Sequence, residues 1–129
     1  HDVQTALDLS GADAVMVGRA AFGRPWLPGL LARSLEAGRQ LPDPPLERQK
    51  AIATEHYRDM LAHYGTEVGV RCARKHLGWY AQNALQQACG ASCVEAEGLR
   101  TAMMKSSEPA RAMNLIDRFY GSLTLPEAA

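Results

Sequence analysis

Neither sign of charge is in excess: Lys plus Arg and Asp plus Glu both number 14 in 129 residues. A role at nucleic acid or a charged membrane surface must therefore rest on local clustering, because the total carries no bias. No apolar run approaches the roughly 20 residues of a membrane span, and no charged-then-apolar leader opens the chain. A soluble, cytoplasmic protein is expected. Cysteine is scarce and odd in number, with only Cys72, Cys89 and Cys93. Around Cys89 and Cys93 the stretch "CGASCVEAEG" offers nothing but carboxylates as further ligands, so a metal site is disfavoured. Small buried or half-buried thiols in a reducing compartment are the simpler reading.

Length sets a second exclusion. With 129 residues the chain fits one ordinary domain, or a small domain plus a piece of another. A whole (β/α)₈ barrel needs roughly 200 residues or more. The first residue is His1, and the opening segment already reads as the middle of a helix; the expectation is a piece of a longer protein.

What is present is mostly helical pattern. "HDVQTALDLS" places Val3, Ala6, Leu7 and Leu9 near helical spacing, with Gly11 where a left-handed cap is wanted. "AVMV", residues 14–17, is short and continuously apolar, as a parallel strand buried on both faces would be. Pro25 can open a helix, and "WLPGLLARSLEAG" runs to a glycine stop at Gly38. "RQLPDPPLERQ" then crowds three prolines around Asp43, which forbids helix and restricts the chain to extended conformations. The domain boundary is placed there, giving 1–40 and 41–129.

Beyond it four helical segments follow. Ala53, Tyr57, Met60, Leu61 and Tyr64 form one apolar stripe that Gly65 closes. Val70, Ala73, Leu77, Tyr80, Ala81, Ala84 and Ala88 form the next, and their small side chains permit close helix approach. Val94 to Lys105 is weakened by Gly98, at about 1 kcal/mol relative to alanine. The last begins with a Ser107 cap and Pro109, then aligns Ala112, Met113, Ile116, Phe119 and Tyr120. Four one-sided helices make a bundle. The tail "LTLPEAA" reads as frayed. The fold class is thus mainly α: a four-helix bundle preceded by a helix-strand-helix piece.

In "GADAVMVGRAAFGRPW", residues 11–26, an apolar run stops at Gly18-Arg19 and resumes as helix. A helix N-terminus presents unpaired N–H groups and about half a positive charge. Glycine removes the Cβ that would keep an anion away, and arginine adds a guanidinium. The pair reads as a phosphate cradle of the kind found after the last strands of phosphate-binding barrels. A tight turn with a solvated arginine is the competing reading.

"VRCARKHLGWY" supplies the other cluster. On a helical wheel Arg71, Arg74 and Lys75 share an arc of about 100°, roughly 120° from the apolar stripe. Three cations side by side at the surface can hold RNA phosphates through Coulomb attraction and forked hydrogen bonds. Plain solvated charge is the alternative. His76, Trp79 and Cys72 lie on a further face, where Trp79 could pack, cover the linker or stack on a base. Tyr57, Tyr64 and Tyr80, on apolar stripes, are expected in the core.

"GADAVMVGRAAFGRPW" together with "RCARKHLGWY" at 71–80 resembles the C-terminal part of bacterial tRNA-dihydrouridine synthases of the B type, over essentially the whole chain. The resemblance implies that residues 1–40 are the last unit of a TIM (β/α)₈ barrel and that 41–129 form a tRNA-binding helical domain. It implies an FMN enzyme that uses NADPH to reduce uridine in tRNA to 5,6-dihydrouridine, with Gly18 and Arg19 at the FMN phosphate. It implies tRNA contacts at Arg71, Arg74, Lys75 and His76. The family's catalytic cysteine and its flavin-contacting lysine belong to motifs upstream of His1. None of the three cysteines here takes that role, and the chain by itself is expected to be inactive. No stable protein partner is expected, although an incomplete barrel piece leaves strand edges open to self-association. Disorder, rearrangement or pairing between chains is expected for residues 1 to about 24. A helical protein-interaction module, or the end of another FMN-dependent barrel acting on a small molecule, are the competing functions.

Overall fold

The structure, a computed structural model, describes residues 2–88 and 94–124, in which every regular element is helical and no strand occurs. It divides into two compact units, 1–43 and 44–129.

In the first unit, α1 (Asp2–Ser10) ends at Gly11, whose φ of +65° is one an L side chain rarely adopts. The Gly11 N–H donates to the Leu7 carbonyl at 3.0 Å, closing the helix. Residues 14–17, expected as a strand, form none. A strand is defined by a hydrogen-bonded neighbour, and among the described residues none is offered. Met16 is 95% exposed in consequence. The barrel piece inferred from the sequence is therefore not seen as such. A single 3₁₀ turn, Arg19–Ala21, precedes α2 (Leu27–Glu36), which carries Pro28 in its first turn and stops before Gly38 at φ +61°. Asp43 of the proline-rich segment accepts two hydrogen bonds from Arg24 Nη2, at 2.8 and 2.9 Å, and one from Trp26 Nε1 at 2.7 Å. Three charge-assisted bonds on one carboxylate pin an otherwise unstructured segment to the start of α2.

The second unit is a bundle of α3 (Leu46–Tyr64), α4 (Thr66–Ala88), α5 (Val94–Lys105) and α6 (Pro109–Thr124). Each packs on the next, α6 returns to α3, and α4 also touches α6. The alternation of apolar positions accounts for this: Ala53, Tyr57 and Met60 from α3, Ala73, Leu77 and Ala84 from α4, Met103 from α5, and Ile116 and Phe119 from α6 are all buried. One residue, Gly65 with φ +76°, joins α3 to α4. The turn is so tight that a Cβ on Gly69 would lie 2.8 Å from the Met60 carbonyl oxygen. Gln49, wholly buried, donates from Nε2 to the Pro44 carbonyl at 2.7 Å and to Gln87 Oε1 of α4. Lys50 bridges Glu47 and Asp117, both at 3.1 Å, tying α3 to α6.

Two details depart from expectation. Tyr64 is 52% exposed because it stands at the last position of α3, beyond the reach of the partner helices. Ser107 lies one residue before the cap position of α6, which Glu108 holds because the helix begins at Pro109. The tail's Leu123 and Thr124 complete α6, while 125–129, together with Cys89 and Cys93, lie outside the described residues.

Candidate nucleic-acid interface

Helix α4 sets the geometry of both the cations and the aromatic group beside them. Its buried stripe faces the bundle, so positions 71 and 75, one turn apart, fall on its outer side. Arg71 and Lys75 are both exposed there. Like charges at this spacing repel by a few tenths of a kcal/mol, a small cost the fold accepts without burying either.

Arg74 is placed differently. It is half-buried, its Nε is shielded from solvent, and no protein group accepts from that Nε. The buried Tyr57 of α3 has its phenol pushed up by desolvation, and the positive charge of Arg74 pulls the other way. The three cations expected side by side at the surface are therefore two exposed and one turned into the α3–α4 seam. A wheel gives the angle of a Cβ and ignores how far a long side chain folds back to cover apolar surface.

His76 is also half-buried. Its ring meets His56 of α3 edge to face at a centroid distance of 5.1 Å, and Trp79 at 5.0 Å with an interplanar angle of 89°. His56 Nδ1 lies 3.0 Å from the Tyr80 hydroxyl, and the two rings are 5.9 Å apart. Lys75 Nζ stands over the Trp79 ring, 5.9 Å from its centroid, within range of a cation–π attraction. Burial holds the His76 imidazole below its ordinary value, with His56 and Lys75 adding to the effect. Burial also pushes the Tyr80 phenol up to about 12. Both shifts favour the uncharged forms of the two side chains. The result is a layered group of His56, His76, Trp79 and Lys75 that crosses from α3 to α4 and ends at the exposed cations.

His56 did not stand out in the sequence, yet it is three residues from the buried Ala53 and therefore at the edge of the α3 stripe. Cys72 is half-buried and forms no disulfide. Among the described residues no three metal-ligating side chains come together. No helix there is long and apolar enough to cross a membrane.

In the first unit, Gly18 precedes the 3₁₀ turn, and a Cβ added to it would meet nothing within 4 Å. Arg19 is exposed. The backbone at Gly18 is open to close approach, and the residue next to it carries a guanidinium.

Comparison with known sequences defines the class of protein to which the chain belongs. A family model described as Dihydrouridine synthase (Dus) matches residues 1–120, and the chain belongs to that family. A probable tRNA-dihydrouridine synthase of Rhizobium leguminosarum bv. phaseoli is 43% identical over all 129 residues of this chain, which cover 37% of that relative. The tRNA-dihydrouridine synthase B of Xanthomonas axonopodis pv. citri is 51% identical over 79 residues, 61% of this chain and 24% of its own length. That of Salmonella typhimurium is 44% identical over 82 residues, 64% of this chain and 26% of its own. The chain thus spans about a third of the length of the relatives it matches end to end or nearly so.

Proposed function

We propose that this chain is the C-terminal section of a flavin-dependent tRNA-dihydrouridine synthase, an oxidoreductase that reduces uridine in tRNA with NADPH as the reductant. The helical unit docks tRNA, and the first unit, as the remnant of an FMN-binding barrel, contributes one edge of the FMN phosphate site through Gly18 and Arg19. The flavin, when bound in the whole enzyme, supplies the hydride. This chain's own residues position the RNA.

The observation that carries the reading is the exposed pair Arg71 and Lys75, set on a rigid helix beside an aromatic group. Folded RNA is recognised chiefly through its backbone and shape, and two cations one turn apart can engage successive phosphates. Firm holding of the RNA body also helps offset the unstacking of a uridine that must reach a buried redox centre. Arg74, turned into the helix seam, supports the ridge, and His76 supports Trp79.

The test is tRNA binding by the 129-residue chain in low and moderate salt. Binding should weaken as salt rises, and Arg71→Glu or Lys75→Glu should each weaken it about tenfold at low salt. Affinity indifferent to both reversals overturns the proposal.

A further inference from the structure

Resting on the docking reading above, we infer that Arg74 seats one phosphate of the bound tRNA through its two terminal nitrogens, and that Tyr57 of α3 is the residue that positions it.

Among the described residues Arg24, Arg74 and Arg100 each have an Nε sealed from solvent with no protein acceptor. Two of them offset that cost with a carboxylate on a terminal nitrogen: Arg24 Nη2 lies 2.8 Å from Asp43, and Arg100 Nη1 lies 3.5 Å from Glu97. No ion pair or hydrogen bond among the described residues reaches the Arg74 guanidinium. Its neighbours one turn away on α4, Val70, Arg71, Leu77 and Gly78, carry no acid, and from Val68 to Ala88 the helix holds no Asp or Glu. An arginine that only lays its stem over apolar surface keeps its whole head group in water. Here the Nε edge is withdrawn and the terminal nitrogens alone reach solvent. Withdrawing a cation without a counter-charge is costly, and the anion that balances it comes from outside the chain.

The neighbouring helix supplies the means of holding the guanidinium still. Gly69 closes on Met60 and Leu61, and the His76 ring meets His56 at 5.1 Å, so the register of the hairpin sets Tyr57 opposite Arg74. Tyr57 is 1% exposed, and its hydroxyl, like Arg74 Nε, has no partner. The charge of Arg74 is felt at this phenol, where it opposes the upward push of burial. A free acceptor and a free donor on facing helices are complementary. As a phosphate engages the outer fork, the Tyr57 oxygen accepts from Nε and fixes the plane of the group. The fork matches two phosphate oxygens, and the exposed Arg71 and Lys75 on either side in sequence extend it into a row. A row of cations suits a row of phosphates, whereas an acidic side chain of a protein partner would satisfy one guanidinium only.

Binding of the 129-residue chain to an unmodified tRNA transcript is measured across a salt series for wild type, Arg74→Met, Arg74→Lys, Tyr57→Phe, Tyr57→Phe with Arg74→Met, and Arg71→Gln, with urea unfolding run on each. Arg74→Met should lower the magnitude of the salt slope by about 0.7–0.9 and weaken binding about tenfold at low salt. Its urea midpoint should stay level or rise, because an uncompensated charge has left the seam; a merely structural arginine would not separate stability from binding in this way. Arg74→Lys should keep the slope and lose about 3- to 10-fold in affinity, since an ammonium cannot fork. Tyr57→Phe should weaken binding about threefold with Arg74 present and not at all in the Arg74→Met background. Arg74→Met with the wild-type slope, or Arg74→Lys with wild-type affinity, overturns the seat, the second even where Arg74→Met does not fold. Equal loss from Tyr57→Phe in both backgrounds overturns its positioning role. If Arg71→Gln still lowers the slope in those cases, docking itself survives. Failure of the wild-type chain to bind tRNA overturns both.

Discussion

Replacing Gly69 by alanine puts the α3–α4 hairpin under a defined load. The two helices are joined through Gly65 alone, and the Gly69 N–H donates back to the Gly65 carbonyl at 2.8 Å. A methyl group at 69 would sit 2.8 Å from the Met60 oxygen and 2.9 Å from the Leu61 Cα. Both obstacles are backbone, so neither can rotate aside, and the helices must part by several tenths of an ångström. Overpacking of this kind costs about 1–3 kcal/mol. Alanine returns about 1 kcal/mol of helix propensity, leaving a net loss of about 0–2 kcal/mol. Gly98, inside α5, is the internal control, since a Cβ there meets nothing within 4 Å. Gly98→Ala should stabilise by about 1 kcal/mol. Urea unfolding followed by far-UV circular dichroism reads both, with the slope of the transition checking that the same surface is exposed. If Gly69→Ala stabilises as much as Gly98→Ala, the close approach is wrong, and with it the spacing that lets His56 reach His76.

Other consequences follow from the same geometry. Gly78→Ala, whose Cβ would meet only the flexible end of Met104 at 2.9 and 3.0 Å, should be within about 1 kcal/mol of neutral in the same urea assay. Asp43→Ala leaves Arg24 and Trp26 without their shared acceptor, and should cost the first unit about 2 kcal/mol, read as faster amide exchange through the start of α2. His76 has a folded value below the ordinary 6.5, so the unfolded chain takes up its proton first as pH falls. Its contribution is therefore retained above about pH 6.5 and lost below it; His76→Gln should flatten the dependence of the urea midpoint between pH 7 and 5. Tyr57, Tyr80 and Tyr120 are all raised above the ordinary 10.0 by burial. The unfolded chain then loses protons first, and stability should decline as pH climbs past about 10.

The four helices of the second unit could be read from sequence because each carries an apolar stripe that no other conformation would bury. Gly65 and Gly38 marked real stops. The wheel placed Arg71 and Lys75 outward, where they are found, but it misjudged Arg74. Only the neighbouring helix, through Tyr57, decides which way a guanidinium at the stripe's edge will turn. The contribution of His56 depended on the register between α3 and α4, which a single one-residue turn sets and periodicity does not encode. Residues 14–17 illustrate the opposite limit: an apolar run becomes a strand only when another strand accepts it, and local pattern says nothing about whether that neighbour is present. The anchoring of Asp43 by Arg24 and Trp26 is similarly non-local. A lone carboxylate in a proline-rich run was the available sign.

The slope of log Kd against log salt for tRNA binding to the 129-residue chain tests the central claim most directly, because it counts phosphate contacts. Removing both exposed cations, in Arg71→Gln with Lys75→Gln, should lower the magnitude of that slope by about 1.4–1.8, at 0.7–0.9 per contact. The same slope before and after the double substitution would contradict the account.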